Sequence, residues 1–215
     1  MKRLFNFFVK LTAWPVQWLC FRTKVYYEDK KAQSRRIKGA GIIVSNHTSV
    51  YDYAVFLFVF FGRMLRYQMA ECLFRKKSLR RFLKLMGGIF VDRDSYDFAF
   101  VKESLAILNK KGVVGIFPES RLPKEGEDRP LEFKTSATYI ALESGAPIIP
   151  VYTNGSYFRK ARARVMIGRP INARELWRDE LDEKTNINNI TAYVREQVIR
   201  LKDELGKRTE KNKKS

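Results

Sequence analysis

The chain has 215 residues, 45% of them hydrophobic, which is enough for one domain with a real core and too apolar for global disorder. Its 42 lysines and arginines against 23 acids give a formal charge of +19, so it seeks polyanions, and charge alone leaves nucleic acid and anionic membrane both open. One histidine and two cysteines, Cys20 and Cys72, without a CxxC pair argue against a disulfide framework and a zinc site, and suit a reducing, cytosol-facing setting.

The first 27 residues carry Lys2, Arg3, Lys10, Arg22 and Lys24 and no acid, interleaved with Leu4, Phe5, Phe7, Phe8, Val9, Leu11, Trp14, Val16, Trp18, Leu19 and Phe21. A helix is expected near 4–20. Asn6, Lys10, Pro15 and Gln17 interrupt it too often for a span of about 20 apolar residues, whereas tryptophan flanked by cations suits the headgroup zone. Residues 1–30 therefore read as an interfacial membrane-anchoring segment lying in one leaflet. The same spacing also serves a helix packed on its own domain. A secretory signal fits less well, because no small-x-small cleavage site follows.

From residue 31 to 206 short apolar segments alternate with amphipathic ones in an α/β rhythm. Strands are expected at Ile42 to Ser45, Tyr67 to Ala70, Ile89 to Asp92, Val113 to Phe117, Ile148 to Tyr152 and Val165 to Ile167. Helices are expected near 50–61, 73–85, 97–110, 134–144 and 187–206. Residues 124–130 form a polar loop, and 207–215 make a lysine-rich tail expected to fray.

The lone histidine, His47, follows the first of these strands within Ser45-Asn46-His47-Thr48-Ser49-Val50-Tyr51-Asp52. Histidine is the side chain best placed to take and return a proton near neutral pH, and a carboxylate on its far nitrogen would fix its tautomer. Residues five apart on one straight helix point about 140° apart, so a turn must bring Asp52 back to His47. Thr48 or Ser49 is the expected cap of the helix that follows. The plainer alternative is a surface histidine beside a first-turn aspartate favoured by the helix dipole. Directly after it, Tyr53 to Phe61 is too short to span a bilayer and reads as core or as the lining of an apolar groove. The run Arg75 to Lys84 then joins six basic residues to Leu79, Phe82 and Leu83, a pairing that favours a membrane surface.

Three further stretches place chemistry where strands should run into loops. Gly87-Gly88-Ile89-Phe90-Val91-Asp92-Arg93 ends in a charged pair. Gly115-Ile116-Phe117-Pro118-Glu119-Ser120-Arg121 sets an acid beside a base after a proline stop. Ala146-Pro147-Ile148-Ile149-Pro150-Val151-Tyr152 is apolar and punctuated by prolines.

In this order and spacing the four blocks resemble those of the glycerolipid acyltransferases of the 1-acyl-glycerol-3-phosphate type. Asn46, His47 and Asp52 match Asn-His-x4-Asp; Gly88 through Arg93 match the second block; Phe117, Pro118 and Glu119 match Phe-Pro-Glu-Gly-Thr-Arg; and Pro147 to Val151 match the fourth. Phe133-Lys134-Thr135-Ser136-Ala137 resembles the Phe-Lys-x-Gly-Ala that follows the third block. The likeness covers about residues 40 to 170, and four ordered blocks are far more specific than one. Where the family has Gly-Thr-Arg, this chain has Ser120-Arg121, which brings the arginine one position closer.

The resemblance implies a mixed central sheet flanked by helices, of the glycerol-3-phosphate acyltransferase kind. It implies transfer of a fatty acyl group from a thioester to the hydroxyl of a lysophospholipid, 1-acyl-glycerol 3-phosphate first among them. His47 and Asp52 would be the catalytic pair. Arg93 and Arg121 would bind the phosphate, with Lys124 and Lys134 able to share that role. Glu119 would hold a glycerol hydroxyl or brace an arginine, and Asn46 and Ser120 would complete the substrate-contacting set. The expected partners are an anionic membrane surface on the cytoplasmic side, the lysophospholipid, and acyl-CoA or acyl carrier protein as donor; no cofactor, metal or nucleic acid is called for. Rival readings are an acyltransferase for another lysolipid or amino-lipid, and a non-catalytic basic protein that binds membrane or nucleic acid.

Overall fold

The computed structural model describes residues 2–92, 98–127, 129–158 and 162–214, with side chains to residue 210. Seven strands form one mixed sheet in the order β1-β7-β6-β2-β5-β3-β4: β1 (Lys24–Tyr27), β2 (Gly41–Ser45), β3 (Leu65–Ala70), β4 (Ile89–Val91), β5 (Val113–Ile116), β6 (Ile148–Thr153) and β7 (Arg164–Ile167). All neighbours are parallel except β6 and β7.

The helices divide between the two faces. On one lie α1 (Lys2–Thr12), α2 (Trp14–Cys20), α3 (Asp52–Val59) and α4 (Lys77–Met86); on the other, α5 (Ala99–Asn109), α6 (Ser136–Ser144) and α7 (Glu183–Lys214). Strand β2 shows why its sequence reads as one apolar run. Ile43 enters the core under α3, while Ile42 and Val44 enter the core under α5, α6 and α7, so both faces of the strand are covered. The helices that follow β2 and β5 thus leave on opposite sides of the sheet, which opens a crevice at the strands' carboxyl ends.

Three sequence expectations change. The single helix near 4–20 is two helices meeting at Ala13, with Pro15 at the start of α2, where its missing N–H costs nothing. Lys24–Tyr27, placed by sequence in the anchoring segment, is a strand: it pairs in register with Arg164–Ile167, and its four residues, one exposed and three half-buried, gave too short a pattern to stand out from the aromatic run before it. The tail expected to fray continues α7 to Lys214. Leu201 and Leu205 are buried beneath it, and Arg208 both donates to the Tyr27 carbonyl at 2.9 Å and pairs with Glu204.

Among the described residues no helix is long and apolar enough to cross a membrane. Helix α1 is inverted instead: Asn6 and Lys10 are 3% and 1% exposed, while Leu4 and Phe8 are 74% and 59% exposed. Phe5 and Val9 pack against the domain, and in α2 Gln17 is buried while Trp18 and Leu19 face out.

Candidate active site

The site lies where β2, β5 and β6 end side by side. Asn46 follows β2 and is fully enclosed. Its amide donates to the Thr153 carbonyl and accepts the Thr153 N–H, both at 2.9 Å, which fastens the turn to the end of β6.

His47 comes next, and its Nδ1 lies 2.9 Å from Asp52 Oδ2. The intervening turn does what the spacing required. Tyr51, the residue before α3, makes no capping bond with its own side chain, but Ser49 Oγ accepts its N–H at 3.3 Å; the Asp52 carboxylate, at the first helical position, also accepts the N–H groups of Thr48 at 2.6 Å and Ser49 at 2.9 Å. Its other oxygen accepts the hydroxyls of Thr48 at 2.8 Å and Tyr157 at 2.5 Å. A carboxylate already taking four donors leaves His47 Nδ1 as a donor too, so the neutral imidazole carries its hydrogen on Nδ1 and presents Nε2 as a base. Among the described residues Nε2 has no hydrogen-bond partner, and the His47 side chain is 20% exposed while Asp52 is fully buried.

Aromatic rings hold the imidazole in its plane. His47 stacks on Phe117 with centroids 4.2 Å apart and planes at 13°, and Phe117 stacks on Tyr67 at 4.9 Å. Tyr67 lies flat against Gly115, where a Cβ would come within 2.3 Å of its ring, so only glycine fits there. The Tyr67 hydroxyl is buried without a partner among the described residues, and burial together with the Asp52 charge raises its pKa well above the usual tyrosine value.

Glu119 ties two loops together. One carboxylate oxygen accepts the His47 N–H at 2.7 Å and the other the Leu131 N–H at 2.9 Å. Burial pushes its pKa up from the usual carboxylate value, and those two N–H groups pull it back down. Leu131 is fastened in turn by Arg195 of α7, which donates to its carbonyl at 2.8 Å and to that of Pro130 at 2.8 Å.

Of the remaining sequence candidates, Arg93 lies outside the described residues. Ser120 takes a left-handed φ of 60°, a conformation that glycine adopts without strain and the matching family block fills with glycine. Arg121, on the exposed loop beyond, is held by Glu127 through two bonds of 2.7 and 2.8 Å, so its guanidinium is engaged by an acid of its own loop. That pairing lowers the Glu127 pKa to about 2. Lys134 is exposed, and its backbone N–H donates to the Pro118 carbonyl at 2.9 Å, which brings it to the base of the same turn. Sequence reasoning missed Tyr157 and Arg195, and gave Thr48 only the role of a helix cap rather than a donor to Asp52. Tyr157 stands 105 positions from Asp52, and nothing in its neighbourhood marks it.

The exposed apolar surface of α1 and α2 runs on to the rim of this site. At the end of α2, Phe21 meets Phe158 at 5.0 Å and Tyr51 at 6.2 Å, and Tyr51 meets Phe158 at 4.7 Å. Val50, Tyr51 and Phe158 are all exposed.

A family model described as Acyltransferase matches residues 22–154. No curated protein matches the sequence at a significant level. Among solved structures, the chain is similar to that of the 1-acyl-sn-glycerophosphate (LPA) acyltransferase PlsC from Thermotoga maritima, with a TM-score of 0.59 and 20% identity over 85% of this chain and 73% of that one. At that identity the likeness concerns the fold.

Proposed function

Since the chain belongs to the acyltransferase family, we propose that it transfers a fatty acyl group from an acyl thioester to the free hydroxyl of 1-acyl-glycerol 3-phosphate at a membrane surface. The observation that carries this is the His47–Asp52 pair, with an Nε2 that has no partner among the described residues, at the mouth of a crevice whose rim continues the exposed apolar face of α1 and α2.

The acceptor hydroxyl would give its proton to Nε2 as its oxygen attacks the thioester carbon. The imidazolium so formed is steadied by Asp52 through Nδ1. Collapse of the tetrahedral intermediate breaks the carbon–sulfur bond, and the leaving thiolate takes the proton back from Nε2. No enzyme nucleophile is required, because the acceptor hydroxyl itself attacks. Asn46 and Glu119 position the turn that carries His47, since their polar groups are spent on backbone partners. Arg121 and Lys134 supply cations on the adjoining loop, and an acceptor phosphate would compete with Glu127 for the Arg121 fork.

The leaflet supplies the acceptor and receives the product. Tryptophan, phenylalanine and leucine on the outer faces of α1 and α2 suit the interfacial zone, and an excess of 19 positive charges favours an anionic cytoplasmic surface and either polyanionic donor. The test is acyl transfer from acyl-CoA and from acyl carrier protein to labelled lysophosphatidic acid on vesicles, with other lysolipids as comparison acceptors. His47→Ala should lose at least a hundredfold in kcat. Near-normal turnover by that variant would overturn the general-base role, and preference for another lysolipid would reassign the acceptor.

A further inference from the structure

At the opposite end of the sheet from His47, where β2 and β5 begin, a cavity of about 750 Å³ lies between α1, the α3–β3 turn and the end of α5. The five residues of β2 separate the two ends by roughly 15 Å. Six cations line the cavity, Arg3, Lys10, Arg63, Arg66, Lys110 and Lys111, against the single carboxylate of Glu103. Among the described residues none of the six is in an ion pair.

Three of these cations are held in place by groups other than a paired carboxylate. Lys10 is buried and donates to the carbonyls of Phe61 at 3.1 Å and Arg63 at 2.6 Å. Arg63 donates to the carbonyls of Ile37 at 2.7 Å and Gly39 at 2.8 Å. The Arg66 stem lies over Gly87, where a Cβ would sit 2.6 Å from its Cδ, and among the described residues its guanidinium has no hydrogen-bond partner. Burial and the nearby charge of Arg3 lower the pKa of Arg63; burial lowers that of Arg66, with Glu103 pulling it back up and Arg3 adding to the fall. Gathering like charges in a partly enclosed space costs free energy that an anion relieves.

We propose that this cavity is a second anion site, taking the phosphate of an anionic phospholipid from the leaflet on which α1 and α2 rest. It rests on the anchoring read under the proposed function, and it is separate from the acyl-transfer site. The lining itself points to a lipid. Phe7 and Phe61 stand in its wall with their rings 5.8 Å apart, and Phe7 also belongs to the exposed apolar face of α1 with Leu4, Phe8 and Leu11. A headgroup can therefore enter while its acyl chains stay in the leaflet, an arrangement for which a free phosphate has no use. The anchor then has an ionic foothold at the start of α1 and the active-site rim at the end of α2.

Co-sedimentation of the full chain tests this, with vesicles of phosphatidylcholine alone and of four parts phosphatidylcholine to one part phosphatidic acid. Arg66→Gln, and separately the rim variant Lys110→Gln/Lys111→Gln, should weaken binding to the anionic vesicles by about fivefold per charge removed and leave binding to phosphatidylcholine unchanged. Lys184→Gln/Lys207→Gln, two exposed lysines of α7, should change it by less than about twofold. Equal losses in the α7 variant, or none in the cavity variants, would overturn the site. Displacement of the vesicles by millimolar inorganic phosphate would overturn the lipid assignment. Failure of wild type to bind phosphatidylcholine would count against the anchoring instead, and the effect of phosphatidic acid would still report on the cavity.

Discussion

Asp52→Asn isolates the charge of the residue behind His47 while keeping its shape. The Asp52 oxygen that faces the imidazole meets three N–H donors, whereas the other meets two hydroxyls, which can rotate to accept. An asparagine will therefore turn its carbonyl toward His47 and its NH2 toward Thr48 and Tyr157, preserving the turn and the Nδ1–H tautomer. What disappears is the attraction between carboxylate and imidazolium. At 2.9 Å and an effective dielectric of about 20, a full pair of charges is worth roughly 6 kcal/mol. With about half of a proton transferred at the transition state the loss is roughly 3 kcal/mol, a fall in kcat of about a hundredfold with KM little changed. Loss of the tautomer as well would extend it toward about 10⁴-fold. The measurement is initial-rate thiol release with saturating acceptor, alongside circular dichroism to show that the variant folds. A folded variant with kcat within about threefold of wild type would refute the assigned role of Asp52.

Tyr157→Phe removes one charge-assisted bond to the same carboxylate and should cost about 1.5–3 kcal/mol in stability, with a three- to tenfold lower kcat and an unchanged KM. Lower stability with unaltered kcat would limit Tyr157 to the fold. Gly115→Ala forces a methyl into the fully buried Tyr67 ring and should destabilise by at least about 1–3 kcal/mol in urea titration, also displacing the Phe117 ring beneath His47; a change below about 0.5 kcal/mol would mean that the ring moves freely. Lys10 has its pKa lowered by burial from 10.5 to about 8, so between those values the unfolded chain holds more protons and stability rises with pH. Allowing for partial hydration, wild type should gain about 1–3 kcal/mol relative to Lys10→Met from pH 8 to 10.5, and a pH-independent difference between the two would contradict the burial cost.

The site's key pair was legible because its parts are local. A strand, a turn and a helix start fall within a dozen residues, and His47 is the only histidine in the chain. Six of the seven strands were legible as well, since strands covered on both faces, such as β2 and β5, are short apolar runs, and β3 alternates apolar and polar residues. Strand β1 was not, being four residues, three of them half-buried, that become a strand only by pairing with β7 far along the chain. Glu119 was recognised as part of the site, but its bond to the His47 N–H spans 72 positions, and no local pattern could say whether it would meet a glycerol hydroxyl, an arginine or a backbone N–H. Arg121 was matched by its block, yet its engagement with Glu127 depends on how the loop curls back.

The N-terminus divides the same way. Composition and spacing marked residues 2–20 as apolar, aromatic and basic, because residue type is fixed locally. Only the folded chain decides which side of the helix meets the protein, and it buries Asn6 and Lys10 against backbone carbonyls while leaving leucine, phenylalanine and tryptophan outside. The sequence by itself determined the alternation of elements and the chemistry of the His47 turn, since both follow from periodicity and side-chain type over a few residues. The tertiary structure alone decided which donors surround Asp52, what Glu119 braces and that cations gather beneath the sheet, because each of those contacts joins segments whose separation along the chain carries no signal of their meeting in space.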